Sequence, residues 1–127
     1  MRRTDQRRAA VFALYQADLT ERTARDLLDR AATAFTRELV QGTEHSREEV
    51  DALIERHAVG WQLDRIAPLE RNILRVALFE LLHRPDVPPE VAIDEAIEAA
   101  KELCGADAPG FVNGILGAVH RERVGSP

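Results

Sequence analysis

The stretch Ala67–Arg84, APLERNILRVALFELLHR, decides the fold. Leu69, Ile73, Leu74, Val76, Ala77, Leu78, Phe79, Leu81 and Leu82 put apolar side chains on nearly every side of a helix. Glu70, Arg71, Arg75, Glu80 and the His83–Arg84 end are its charged exceptions. A helix apolar almost all round must be covered on most sides by other helices. Pro68 suits the first turn, where its missing N–H has no intrahelical partner. Pro85 pushes Arg84 out of the α region and closes the segment. The run is too short and too interrupted by charge to span a bilayer. It is therefore expected to be the central helix of a compact all-α bundle.

Working outward, apolar spacing and capping signals predict the other helices. A first helix is expected from about Thr4 to Leu19, with Ala10, Ala13, Leu14 and Ala17 on one face. Thr23 with Asp26 resembles a capping box for a short helix reaching about Ala31. Another begins near Thr33 and carries Phe35, Leu39 and Val40, with Gly42 in its path. Ser46 and Glu49 form a further capping box ahead of Val50, Leu53, Ile54 and His57, so this region is one bent helix or two in succession. Gly60 ends it, and Trp61 is expected to be a packing anchor, given the usual burial of tryptophan. A short helical turn is expected over Asp64–Ala67, and Pro85–Pro89 makes a stiff connector. Pro89–Leu103 then faces Ile93, Ala96, Ile97 and Ala100 inward, and Asp107 caps a last helix from Ala108 to about Arg121. The tail Val124–Pro127 is expected to fray. In all, about seven helices form a single domain over the 127 residues.

Charge is unevenly spread. The net charge is −5, yet the start holds Arg2, Arg3, Arg7 and Arg8 against Asp5. The segment from Asp86 to Asp107 adds Glu90, Asp94, Glu95, Glu98 and Glu102, with Lys101 its only cation. Such asymmetry suggests a basic arm for an anionic partner on an acidic body. Arg3 and Arg7 are i, i+4 neighbours with Arg8 beside them, which suits phosphate contact. The plainer alternative is a solvated helix end. Cations at a helix N-terminus oppose the macrodipole, which favours a use other than stability.

Catalytic constellations are lacking. Glu80-x-x-His83 has the spacing of a carboxylate–histidine metal pair, but a bundle metal site needs a second copy and further glutamates. The structural alternative pairs Glu80 with an arginine. His45, His57 and His120 are dispersed, and there is no glycine-rich phosphate loop or nucleophile elbow. The lone Cys104 excludes an intrachain disulfide. With no signal peptide, a cytoplasmic protein is the default expectation. The residues alone describe a helical binding module with no enzyme activity, no metal and no cofactor.

Three ordered motifs go further. Ile73–Leu81 (ILRVALFEL), Val91–Ala96 (VAIDEA) and Phe111–Leu116 (FVNGIL), preceded by Arg7-Arg8 and Ala13–Gln16 (ALYQ), resemble the NusB transcription antitermination family over nearly the whole chain. The resemblance implies two small helical subdomains packed together. It implies binding to boxA RNA of ribosomal RNA transcripts together with the ribosomal protein NusE, and assembly with other Nus factors and RNA polymerase. Carried over residue by residue, it assigns RNA contact to Arg2, Arg3, Arg7, Arg8, Asp107 and Phe111, and NusE contact to Glu70. Phe111 has two readings, stacking on a base or packing in the core. Asn113-Gly114 is assigned to close helix packing. Family members occur as monomers and dimers, so a homodimer is left open.

The chain also departs from the family pattern. Thr4-Asp5 interrupts the basic run, and Gly110 stands where a basic residue is frequent. Fewer cations release fewer counterions, so weak RNA affinity by the isolated chain and reliance on NusE are expected. Two alternatives remain: the NusB-like RNA-binding domain of an rRNA cytosine methyltransferase, or a helical adaptor that binds only protein. The methyltransferase reading would require a cofactor-binding half after residue 127, so a complete chain of this length is expected to be the free-standing factor.

Overall fold

The structure is a computed structural model that describes residues 1–124. Its elements are α1 (Arg3–Leu19), α2 (Ala24–Leu27), α3 (Ala34–His45), α4 (Arg47–His57), a 3₁₀ turn (Leu63–Arg65), α5 (Pro68–His83), α6 (Pro89–Leu103) and α7 (Ala108–Val124). No strand occurs among the described residues. The central helix is where the sequence places it. Ile73, Leu74, Val76, Ala77, Leu78 and Phe79 are all buried, and α5 packs against α1, α3, α4, α6 and α7. Each such large side chain contributes about 1.5–3 kcal/mol by leaving water. Helices α1, α2 and α3 contact one another as one subdomain, and α4, α6 and α7 gather on the other side of α5.

Several boundaries differ from expectation, for local reasons. Thr23 does cap α2, its Oγ1 accepting from the Asp26 N–H, but the helix stops at Leu27 instead of about Ala31. Beyond it, the Asp29 carboxylate accepts from the Ala31 N–H, and the Arg37 guanidinium donates to the carbonyls of Asp29, Arg30 and Ala32. Those bonds satisfy the backbone without a helix. Ser46 separates α3 from α4 but makes no side-chain cap. Its backbone, at φ −96° and ψ 12°, lacks the extended geometry that lets a capping hydroxyl reach the first turn. Asn113 and Gly114 are exposed, and a Cβ on Gly114 would meet nothing within 4 Å, so the expected close packing there is absent. The expected fraying begins at Val124, which still ends α7, and otherwise falls on residues outside those described.

Gly42 is the glycine that packing requires. A Cβ there would lie 2.1 Å from the Phe79 Cζ, so the ring of Phe79 rests directly on the α3 backbone. Nearer the start of α5, polar groups tie three helices. Arg75 donates to Asp51 of α4 at 2.7 Å and 3.1 Å and to Asp18 of α1 at 2.8 Å. Asn72 also donates to Asp18, at 2.8 Å. Burial pushes the Asp18 carboxyl up, but hydrogen bonds from Asn72 and Arg71 and the charges of Arg75 and Arg47 outweigh it and hold it below its ordinary 3.8.

Two outcomes follow from this packing. Gly42→Ala should destabilise the fold by about 1–3 kcal/mol in urea denaturation, and adding Phe79→Leu should recover part of the loss. The depressed Asp18 carboxyl contributes stability that is fully present above its ordinary value and is lost as pH falls from there through its lowered value in the fold. Asp18→Asn should therefore lower stability at neutral pH and flatten the decline measured between neutral pH and about pH 3.

Candidate nucleic-acid interface

The N-terminal arginines do not form one open surface. Arg2 is exposed and lies 3.5 Å from Asp5. Arg3 is half-exposed, 3.9 Å from Asp86, and sits 4.2 Å over the Phe35 ring. Arg8 is paired with Glu102 of α6. Arg7 is buried. Its guanidinium donates twice to Glu80, at 2.8 Å and 2.9 Å, with Glu95 at 3.9 Å. The expectation that Arg7 faces RNA is thus corrected, because its fork is engaged inside the fold. The helical phase explains it: Arg7 continues the buried stripe of Ala10, Val11 and Leu14 toward the N-terminus.

The pairing answers the question raised by Glu80-x-x-His83. Glu80 turns inward to Arg7, whereas the Nε2 of His83 lies 2.6 Å from Glu49 on the surface. Among the described residues no cluster of His, Cys, Asp and Glu is arranged to hold a metal ion. Near the same place, Arg3, Arg7 and Arg84 bring three guanidinium groups around Phe35. Asp86 receives hydrogen bonds from Arg84, which, with its charge, bring the Asp86 carboxyl down to about 2 despite desolvation. The arm is therefore electrically matched to acids that already surround it.

A second surface forms where α5 and α7 begin. Glu70, Asp107 and Phe111 line one pocket with Trp61, Arg65, Ile66, Ala67 and Ala108. None of the four N-terminal arginines lines it. Asp107 is exposed, while Glu70 and Phe111 are partly buried. Burial, and then the nearby Asp107 charge, push the Glu70 carboxyl up. Burial, and then Glu70, raise the Cys104 thiol in turn. The structure thus brings together residues that the resemblance divides between a protein partner and RNA. Trp61 is the residue the sequence reading misplaced. It is 53% exposed and meets Phe111 edge to face, with centroids 6.3 Å apart and planes at 70°. Its position directly after Gly60, whose φ is +83°, was the available signal: the chain turns sharply there, away from the helical stripe that would have buried the ring.

These features define an all-α binding module with two separate polar surfaces, and among the described residues no helix is long and apolar enough to cross a membrane. The chain belongs to the NusB family, whose sequence model matches residues 4–121. It is 41% identical to the transcription antitermination protein NusB of Myxococcus xanthus, over 93% of each chain. The fold matches NusB of T. maritima with a TM-score of 0.86 and 34% identity, covering 96% of this chain and 92% of that one. It also matches a chain in a solved complex of the antitermination factors NusB and NusE with double-stranded RNA. There the TM-score is 0.83 and the identity 27%, over 94% of this chain and 96% of that one.

The division of the arginines is open to measurement. Arg7→Ala or Glu80→Ala leaves a buried charge unpaired and should cost about 3–5 kcal/mol in urea denaturation. Arg8→Ala removes a pair whose carboxylate is exposed, and should cost about 1 kcal/mol, well below the Arg7 loss. Equal losses at Arg7 and Arg8 would contradict the placement of Arg7 in the core.

Proposed function

We propose that this chain is a transcription antitermination factor that works by binding and not by catalysis. As one RNA-binding domain over residues 1–127, acting in the cytoplasm, it takes up boxA RNA of ribosomal RNA transcripts together with NusE. The pair then joins other Nus factors and RNA polymerase. The observation that carries this reading is the pocket at the start of α7. Asp107 and Phe111, the residues that the family resemblance assigns to RNA, stand open to solvent or only partly covered. A ring left partly uncovered at a helix start is suited to stacking on an unpaired base.

Arg2, Arg3 and Arg8 supply phosphate contacts, and Arg7 holds α1 in place from within. Each of the three outer arginines already has a carboxylate within 4.0 Å: Asp5, Asp86 or Glu102. RNA must compete with those acids, so little affinity is gained per contact. This supports weak binding by the isolated chain and a need for the partner. Glu70 faces NusE, whose ribosomal-protein character suits an acidic surface and speeds encounter.

Fluorescence anisotropy of labelled boxA RNA at two salt concentrations, with and without NusE, tests the proposal. Binding should be weak alone and tighten with NusE. Replacing Arg2, Arg3 and Arg8 together by alanine should make the salt slope shallower by about 2. Glu70→Lys should weaken the NusE effect without unfolding the chain. Tight binding by the chain alone with a steep salt slope would contradict the division of labour, and absence of RNA binding under every condition would favour a protein-only adaptor.

A further inference from the structure

We propose that Trp61 and Phe111 form the two walls of a slot for one unstacked RNA base, and that Asp107 selects a guanine there. The inference rests on the RNA-binding reading above and extends it to a residue and a base preference.

Trp61 is the chain's only tryptophan, and its ring lies outside the hydrophobic core. The backbone that carries it is well braced. Gly60 turns the chain, the Trp61 N–H donates to the Ala58 carbonyl at 2.9 Å, and the 3₁₀ turn follows. Ile66, just beyond, is buried and anchors the segment. A large apolar ring held on a fixed backbone yet half in water loses little entropy when something stacks on it. Phe111 is fixed from the other side by the first turn of α7, where its N–H donates to the Asp107 carbonyl at 3.2 Å. Planes at 70° make a corner and not a closed stack, so a flat ring laid on one wall meets the other at its edge.

The remaining lining specifies the chemistry of that flat ring. The pocket is open to solvent, has a volume of about 390 Å³, and counts Asp107 and Glu70 among its lining residues. Ionised carboxylates only accept hydrogen bonds. A base that enters edge first must therefore present donors. Guanine offers adjacent N1–H and N2–H groups that one carboxylate takes together. Uracil offers a single N–H flanked by two carbonyl oxygens, which a carboxylate repels. Asp107 is the reader because it is exposed, whereas Glu70 is partly buried beside it. Arg65 is exposed on the same rim and supplies a cation for the phosphate that remains outside.

The single tryptophan makes the slot its own reporter. The full chain is titrated at low salt with single-stranded oligouridylate and with the same oligomer carrying one central guanine, adenine or cytosine. Trp61 emission and the anisotropy of end-labelled RNA are read together. The guanine oligomer should bind about tenfold more tightly than oligouridylate and quench Trp61. Trp61→Leu should lose that advantage, and Trp61→Phe should keep most of it. Asp107→Asn should remove the preference for guanine over uracil while leaving Trp61 quenched by bound RNA. The slot is refuted if the guanine oligomer binds by anisotropy without altering Trp61 emission, or if Trp61→Leu retains the preference. It is also refuted if NusE quenches Trp61 and RNA does not, which would make the corner a protein contact. Absence of an anisotropy change with any oligomer counts against the underlying RNA reading as well as the slot.

Discussion

The ion pair between Arg7 and Glu80 governs how the two halves of this molecule meet. Both side chains are nearly removed from water, and each satisfies the other through two parallel hydrogen bonds. Taking two charges out of water is expensive, and the attraction between them repays it only with good geometry. Because an unpaired partner would be costly, α1 can sit on α5 in essentially one register. That register presents Arg3 to Phe35 and Asp86, and Arg8 to Glu102. The polar surface of α1 is thus a consequence of a contact in the core.

The second polar junction acts at the other end of the α1–α5 contact. Asp18 collects Arg71, Arg75, Asn72 and Arg47, joining α1 to α5 and to the first turn of α4. Three cations and one amide converge on one carboxylate, so protonating it leaves several donors short of an acceptor. Together the two junctions clamp α1 at both ends of its contact with α5. The apolar residues between them supply most of the stabilisation, and the charged groups determine alignment.

Much of this arrangement was legible in the residues. The proline-bracketed apolar run, the Pro89 start of α6 and the dense motifs of α5 and α7 all carry strong periodic signals, and these are the elements found. Glu80 and Arg75 were legible as structural because each interrupts an otherwise apolar helix. Arg7 could have been read the same way, since it stands one turn before Ala10 and Val11 on their stripe. It was masked by its arginine neighbours, which made a charge run look like a surface. The early end of α2 was not legible, because it depends on Arg37 returning to three carbonyls from the next helix. The vacant cap at Ser46 depends on a backbone angle, and a capping box specifies only residue types. Trp61 was misjudged because average burial says nothing about a ring placed just after a positive-φ glycine.

Those same particulars bear on how such a chain can bind an anion while carrying a net charge of −5. Its outer arginines are held near acids, which lowers the positive potential that a distant phosphate experiences. Long-range attraction is therefore small. In the proposed binding mode, what remains is short-range complementarity, in which a base finds an uncovered ring and a phosphate displaces a carboxylate from one guanidinium. Contacts of that kind form only after the strand is already close. A second protein that brings positive potential to the acidic face would provide the missing approach. The proposed division between a weakly attracting body and a shape-reading corner also gives a use to Glu70 and Asp107 lying in one pocket. A cation from a partner beside Glu70 would reduce the repulsion that this carboxylate pair exerts on an incoming strand, coupling protein binding to RNA binding without moving a helix.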